Sequence, residues 1–529
     1  GALQASTLYY FRLTSQYGGI TDNGTTGTFL TPVRTELASI FRTGGNATGI
    51  LPAATFVSFG NPAINLNGNT AFYATAAFTG ANATNNAGIW TSINGTNRLV
   101  ARIGGNATGG GVFSALGEPV LNSNNRLAFI GTLKVGVGNV TKTTAAGIWQ
   151  VAANGTTTLV AKAGSAAPGA TGTVFSSFSN LVVGDGGVAF RATLASGSAN
   201  VTTSNNSGIW AQNASGNLVL VARLGASPTP TLTSLTAFNP EAGQTGHSRH
   251  FNSDGDLLLF AKFGTGQLGV YKVNAFAFTW NGTTPVAAVG SSTPGITGGV
   301  FSTISNPILS ESDEVAFKAT FTGNGVTSGN NTGIFVYGAD GAGQLMVRTG
   351  VAQSDGRIFQ TISSPILNGA GNLAFTGALK TGVGGVSSAN ATGVWTISPE
   401  GELTTIARVG DAAPGLSGAR FASFSQIAYP DEAGIAFTAT LATGAGGVTS
   451  SNNLGFWAAS EPGSSPSLII RTGDSFVVGG VTKTISKFSV YSASAATTGA
   501  QRSFNAFGDV IFLLTFTDGT SGLFKYELP

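Results

Sequence analysis

Gly88-Ile89-Trp90, Gly147-Ile148-Trp149 and Gly208-Ile209-Trp210 are copies of one strand-like phrase. Gly269-Val270-Tyr271, Gly333-Ile334-Phe335, Gly393-Val394-Trp395, Gly455-Phe456-Trp457 and Gly522-Leu523-Phe524 continue the series, and Gly27-Thr28-Phe29 is a weaker copy. Successive aromatic positions lie 59 to 67 residues apart. A steady period of this size marks an array of one supersecondary unit. The array overrides the length prior of about three or four domains and argues for one cooperative body.

Aligning the chain on this phrase exposes three further elements. One strand ends in a cation, as in Leu99-Val100-Ala101-Arg102, Leu220-Val221-Ala222-Arg223 and Ile469-Ile470-Arg471. Another carries spaced apolar residues and a proline, such as Phe56, Phe59 and Pro62, or Phe359, Ile362 and Pro365. The third is an apolar run behind a turn, as in Asn65-Leu66-Asn67-Gly68 before Ala71-Phe72. Asn, Gly and Pro punctuate short segments throughout, and none holds a helical apolar period over three turns. The class is therefore all-β. Four antiparallel strands repeated eight times predict an eight-bladed β-propeller. The alternative is an open β-solenoid, whose coils are usually shorter and lack this four-strand grammar.

Counting each unit from its cation-ended strand gives eight units over residues 37–529 and a partial copy over residues 1–36. The unit is longer than common propeller repeats. The surplus sits in related loops, 136–146, 197–207, 323–332, 382–392 and 444–454, which this count places between the third and fourth strands and therefore on one face of the disc. Eight units close a ring by themselves, so the partial copy is left over, and an isolated hairpin is marginal in water and exposes strand edges. Its residues Tyr9, Tyr10, Phe11 and Phe29 are thus the candidate subunit contact.

Composition narrows the class further. Only 9% of residues are charged, while Gly (78), Ser, Thr and Asn dominate the polar remainder, which is unusual for a cytosolic surface. There is no Cys, which excludes disulfides and thiol chemistry. The net charge of +3 is small for this length and implies no nucleic-acid partner. No apolar run approaches the roughly 20 residues of a membrane-spanning helix. The opening Gly1-Ala2-Leu3-Gln4 fits a mature product whose signal peptide has been removed. The expected location is extracellular or at the cell surface.

The turn motif Asn-x-x-Gly-x-x-Ala-Phe, intact at Asn65 to Phe72 and at Asn368 to Phe375, resembles the bacterial NxxGxxAF tandem-repeat proteins. Arg408-Val409-Gly410-Asp411-Ala412-Ala413-Pro414-Gly415 and the loops rich in Gly, Val, Thr, Ser and Asn extend the likeness. The resemblance runs from about residue 37 to 529. Several copies depart from the motif: Asn125 replaces Gly, Val183 replaces Asn, Pro430 and Ala433 replace Asn and Gly, and Leu258-Leu259 replaces Ala-Phe. What the resemblance implies is export followed by surface attachment through choice-of-anchor or PEP-CTERM-like tails. It supplies no catalytic residues.

The most regular polar feature is the cation series Arg42, Arg102, Lys162, Arg223, Arg348, Arg408 and Arg471, broken at Ala288. Seven cations at equivalent positions could ring an acidic sugar or phosphate. Alternatively, each anchors its own unit through loop carbonyls or an acid such as Asp411 or Asp474. His247 and His250, near Glu241, Asp254 and Asp256, have no third ligand motif and read as an insertion loop. The other acids are scattered and none forms a catalytic box, a calcium loop or a nucleophile elbow. The expectation is a non-enzymatic, self-associating structural or adhesive protein that needs no cofactor or metal. Surface glycans are further candidate partners, and a carbohydrate-binding or glycan-cleaving propeller is the alternative.

Overall fold

The computed structural model describes residues 8–17, 20–30, 37–51, 53–122, 124–184, 187–197, 199–225, 232–237, 252, 254–264, 266–274, 279–280, 284–305, 307–353, 355–431, 433–490 and 503–528. Their regular structure is entirely β. Eight antiparallel sheets follow one another as the blades of a β-propeller. In the third blade the chain passes in order through an inner strand Phe175–Gly184, a second strand Gly187–Leu194, an aromatic strand Ser207–Gln212 and an outer strand Leu218–Arg223. The other blades repeat this meander, occupying residues 55–102, 113–162, 232–288, 300–348, 359–408 and 421–471. Neighbouring blades touch through their inner strands, as Ala63–Ile64 touches Val120–Leu121 and Ile308–Leu309 touches Ile366–Leu367, so these strands surround the axis.

The cation-ended strand closes a blade rather than opening one. Gly88 pairs with Arg102, Gly208 with Arg223 and Gly393 with Arg408, so each such strand belongs with the aromatic phrase before it. The long loops accordingly join the second and aromatic strands of a blade. They share the face of the disc with the outer-to-inner connections, because antiparallel strands reverse at each turn. The Asn-x-x-Gly turns lie on the opposite face.

This one-strand shift leaves the outer strand of the eighth blade to the other end of the chain. Val481–Ser489, Asp509–Phe516 and Ser521–Glu527 are completed by Ala38–Arg42, with Arg42 opposite Gly522 and Phe41 opposite Leu523. Thr43 locks the junction, its backbone N–H donating to the Ser521 carbonyl at 2.8 Å and its hydroxyl accepting from the Ser521 N–H at 2.9 Å. Eight apolar clusters each span two adjacent blades. The one joining Ile511 and Leu523 to Phe41, Phe56, Phe72 and Trp90 shuts the circle between eighth and first. Upstream, Leu8–Tyr17 and Ile20–Leu30 form a two-stranded sheet that pairs with no other described strand.

In most blades the core is an aromatic trio. Trp457 stacks on Phe437 at 6.3 Å and receives the edge of Phe421 at 5.0 Å; Trp90 repeats this with Phe72 and Phe56, and Trp395 with Phe375 and Phe359. These three Trp side chains are fully buried, which for each removes roughly 200 Å² from water and is worth on the order of 5 kcal/mol before ordering entropy. The indole folds back over the glycine two residues earlier. A β-carbon at Gly455 would come within 2.5 Å of the Trp457 ring, which explains the Gly of the repeated phrase.

Candidate functional site

The turn face is ordered by the motif asparagine. Asn65 Oδ1 accepts the backbone N–H groups of Asn67 (3.1 Å) and Asn69 (2.9 Å), closing an Asx-type turn. The turn needs a left-handed residue, supplied by Gly68 (φ 71°), Asn125 (φ 59°) and Asp313 (φ 69°) at equivalent places. The asparagine's other amide atom leaves the blade. Asn65 Nδ2 donates to the Asn122 carbonyl at 2.8 Å, Asn122 to Gly184 at 2.9 Å, Asn368 to Pro430 at 3.3 Å and Asn505 to Asn65 at 2.9 Å, always to the following blade. Sequence reasoning found the motif and missed this second bond. The recurrence of Asn, rather than Ser or Asp, was the available signal, because a carboxylate cannot donate and a hydroxyl has one atom for both roles, whereas an amide accepts and donates through separate atoms.

Between the fourth and fifth blades the asparagine is present, as Asn252, but the link is missing. Asn252 is buried and its Nδ2 has no acceptor. Lys272 forms an ion pair with Asp313 there. Asp256 lies against both. Burial first and the Asp313 charge second push its carboxyl pKa up, against the opposing Asn274 hydrogen bond and Lys272 charge. These carboxylates interact directly, whereas a glycosidase pair stands about 5 Å or more apart to admit substrate and water. His247, His250 and Glu241 lie outside the described residues.

On the loop face, the second-to-aromatic loops share one construction. Asn205 Oδ1 accepts the Thr202 N–H at 2.7 Å while its Nδ2 donates to the Asn200 carbonyl at 3.1 Å; Asn330, Asn390 and Asn452 do the same in their blades. The cation of the outer strand then grips this loop. Arg223, Arg348 and Arg408 each donate Nε–H to the backbone carbonyl of Asn205, Asn330 and Asn390, at 2.9, 2.7 and 2.9 Å. Arg471 instead pairs with Asp474 at 3.0 Å, and Arg348 and Arg102 also cover the rings of Phe321 and Phe78. Burial pulls the pKa of Arg223 and Arg348 below the usual guanidinium value. Arg42 reaches the turn at Gly479, and Lys162 keeps the common register opposite Gly147. The seven cations thus stand on seven different blades, each on the outermost strand. The fold does not gather them around one point.

Among the described residues no group of three His, Asp or Glu side chains could hold a metal ion. A shallow cavity of about 180 Å³ on the turn face is lined by Asn372, Thr396, Ser398, Glu402, Thr404 and Pro462, with Glu402 its one carboxylate. The loop face has a different chemistry. Among the described residues nine large apolar side chains are exposed, and seven lie on this face: Leu51 (91% exposed), Val135, Val300, Val351, Val383, Val477 (66%) and Val481, while Val57 sits within the inner strand Thr55–Phe59. Phe507 is on the other side. For Tyr9, Tyr10, Phe11 and Phe29 the description stops at the backbone, where Tyr9 pairs with Phe29 and Tyr10 with Thr28.

No curated protein sequence matches the chain. Similar solved structures include the polysaccharide lyase Uly1, 12% identical with a TM-score of 0.35 over 83% of this chain and 94% of that one. The Dos1 propeller is 12% identical with a TM-score of 0.30 over 71% and 73%. An α-L-arabinanase of Penicillium chrysogenum is 15% identical with a TM-score of 0.25 over 69% and 99%. At such values these likenesses carry no argument about chemistry. A family profile matches twice, over residues 9–278 and 272–528, nearly end to end. The chain therefore belongs to DUF7453, a family of unknown function whose matched region here is an eight-bladed propeller.

Proposed function

We propose that this protein is a non-enzymatic structural or adhesive component outside the cell that associates with copies of itself. The observation that carries the reading is the loop face, where apolar tips such as Leu51, Val351, Val383 and Val477 stand exposed among neutral Gly, Ser, Thr and Asn loops. Scattered single apolar residues need no explanation, but among the described residues seven on one face and one on the other is a bias that favours contact on that side. Low charge opposes self-association little. The extracellular placement rests on the composition and on the NxxGxxAF resemblance. The hairpin of Leu8–Tyr17 and Ile20–Leu30 adds strand edges that no described strand pairs, which serve strand addition between subunits.

Light scattering of the full chain and of residues 37–529 over a wide concentration range tests this reading. The full chain is expected to associate, and the shortened one to stay folded but associate less. A strictly monomeric full chain would refute it. A glycan array and a polysaccharide-cleavage screen address the carbohydrate alternative: specific binding or turnover would replace the structural reading.

A further inference from the structure

The strand Ala38–Arg42 has two partners in this chain that offer the same register. In four blades the cation follows the glycine of its aromatic strand by 15 residues, as Gly147 precedes Lys162, Gly208 precedes Arg223, Gly333 precedes Arg348 and Gly393 precedes Arg408, and in two more the spacing is 14 or 16. Gly27 precedes Arg42 by the same 15 residues. Yet Arg42 is paired with Gly522, at the far end of the sequence.

The hairpin upstream is built to the blade pattern. Its backbone sets Gly27 opposite Phe11 and Phe29 opposite Tyr9. The first blade likewise sets Gly88 opposite Ala74 and Trp90 opposite Phe72, and the sixth sets Gly393 opposite Gly377 and Trp395 opposite Phe375. Leu8–Tyr17 and Ile20–Leu30 therefore have the register of a second and an aromatic strand lacking an outer strand. The family profile includes them in one continuous match from residue 9.

Opposing forces act on the shared strand. Loop-closure entropy favours the near partner, because a short loop costs less to close than one spanning the chain. Packing favours the distant one. Phe41 lies 4.5 Å from Phe72 and 5.7 Å from Phe56, and Thr43 is bonded to Ser521 through both its backbone N–H and its hydroxyl.

We propose that Ala38–Arg42 is an exchangeable closing strand. On Ser521–Glu527 of its own chain it shuts the ring. On Ser521–Glu527 of a second copy it links two propellers head to tail, and the hairpin holds it between the two states. Bare edges on both partners drive the exchange, since an unpaired Ser521–Glu527 exposes a row of backbone donors and acceptors. The inference rests on the self-association proposed above and names the contact responsible.

The absence of cysteine allows a direct test. Ala38 and Lys525 stand opposite each other on neighbouring strands, a separation of about 5 Å that suits a disulfide. Ala38→Cys and Lys525→Cys are made in separate chains, unfolded, mixed, refolded at rising concentration and oxidised. Any bond between the two variants must join different copies. The expected result is a disulfide-linked heterodimer whose yield grows with concentration and falls several-fold when residues 1–30 are removed from both chains. The double variant in one chain, which should crosslink within the monomer at low concentration, checks that the closed ring forms. No heterodimer at any concentration, with the double variant crosslinked internally, overturns the proposal, and a yield unchanged by removing residues 1–30 overturns the role of the hairpin. Light scattering on the same samples separates the two claims: association without a crosslink sinks the exchange alone, and its absence sinks both.

Discussion

The side-chain amide of Asn505 donates to the backbone carbonyl of Asn65 at 2.9 Å, joining the last blade to the first across 440 positions of sequence. The same side chain accepts the Asp509 N–H at 2.8 Å through Oδ1. Asn252 makes the equivalent turn bond, to Asp256 at 2.8 Å, but its Nδ2 has no acceptor. Asn505→Ala should therefore cost about 2 to 3 kcal/mol and Asn252→Ala about 1 kcal/mol, because only the former strips a bond between blades. Urea unfolding midpoints compare the two; equal losses would show that this bond adds nothing to ring closure.

Arg408 holds the loop carbonyl of Asn390 through Nε at 2.9 Å. Arg408→Ala should lower stability by about 1 to 3 kcal/mol and leave retention on an acidic-polysaccharide column unchanged. Unchanged stability with lost retention would instead make the cation a ligand contact.

Trp395 and Trp457 are both fully buried and make the same aromatic contacts, but Trp457 Nε1 donates to the Pro414 carbonyl at 3.1 Å whereas Trp395 Nε1 has no acceptor. Replacement by Phe creates a similar cavity at each site. Trp457→Phe should cost about 1 to 2 kcal/mol more than Trp395→Phe, measured by chemical denaturation. A reversed order would mean that the indole bond is not a stabilising element.

The raised carboxyl of Asp256 gives a pH signature. Its folded pKa lies above the unfolded value, so the ionised form opposes folding. The penalty is fully present above the folded pKa and fades as the pH falls toward the unfolded value near 4. Asp256→Asn should raise the melting temperature at neutral pH, with the gain over wild type vanishing below about pH 4. A gain of equal size at both ends would point to a cause other than ionisation. Lys272, Asp313 and Asn274, the groups facing Asp256, are left intact by this change.

Much of the architecture is written in single residues. The Gly-Ile-Trp phrase is legible because the Trp must fold over a residue without a side chain, and the Asn-x-x-Gly turn because a left-handed position needs Gly, Asn or Asp. Periodicity of these local constraints determined the all-β class and the count of eight. The site was less legible. A repeated Arg reads equally as ligand contact or clamp until the Asn390 carbonyl is seen in front of Arg408.

What the sequence could not set was the phase of the array. A period has no beginning, so the pairing of Arg102 with Gly88 behind it, rather than with strands ahead, depends on which backbone edges meet in the sheet. Only tertiary structure decided that Ala38–Arg42 should leave its neighbour Gly27 and close the ring on Gly522, because that choice is made by Phe41 packing on Phe56 and Phe72. Local sequence fixes strands through φ and side-chain shape, whereas the partner of a strand is selected by apolar surface that exists only once the blades stand side by side.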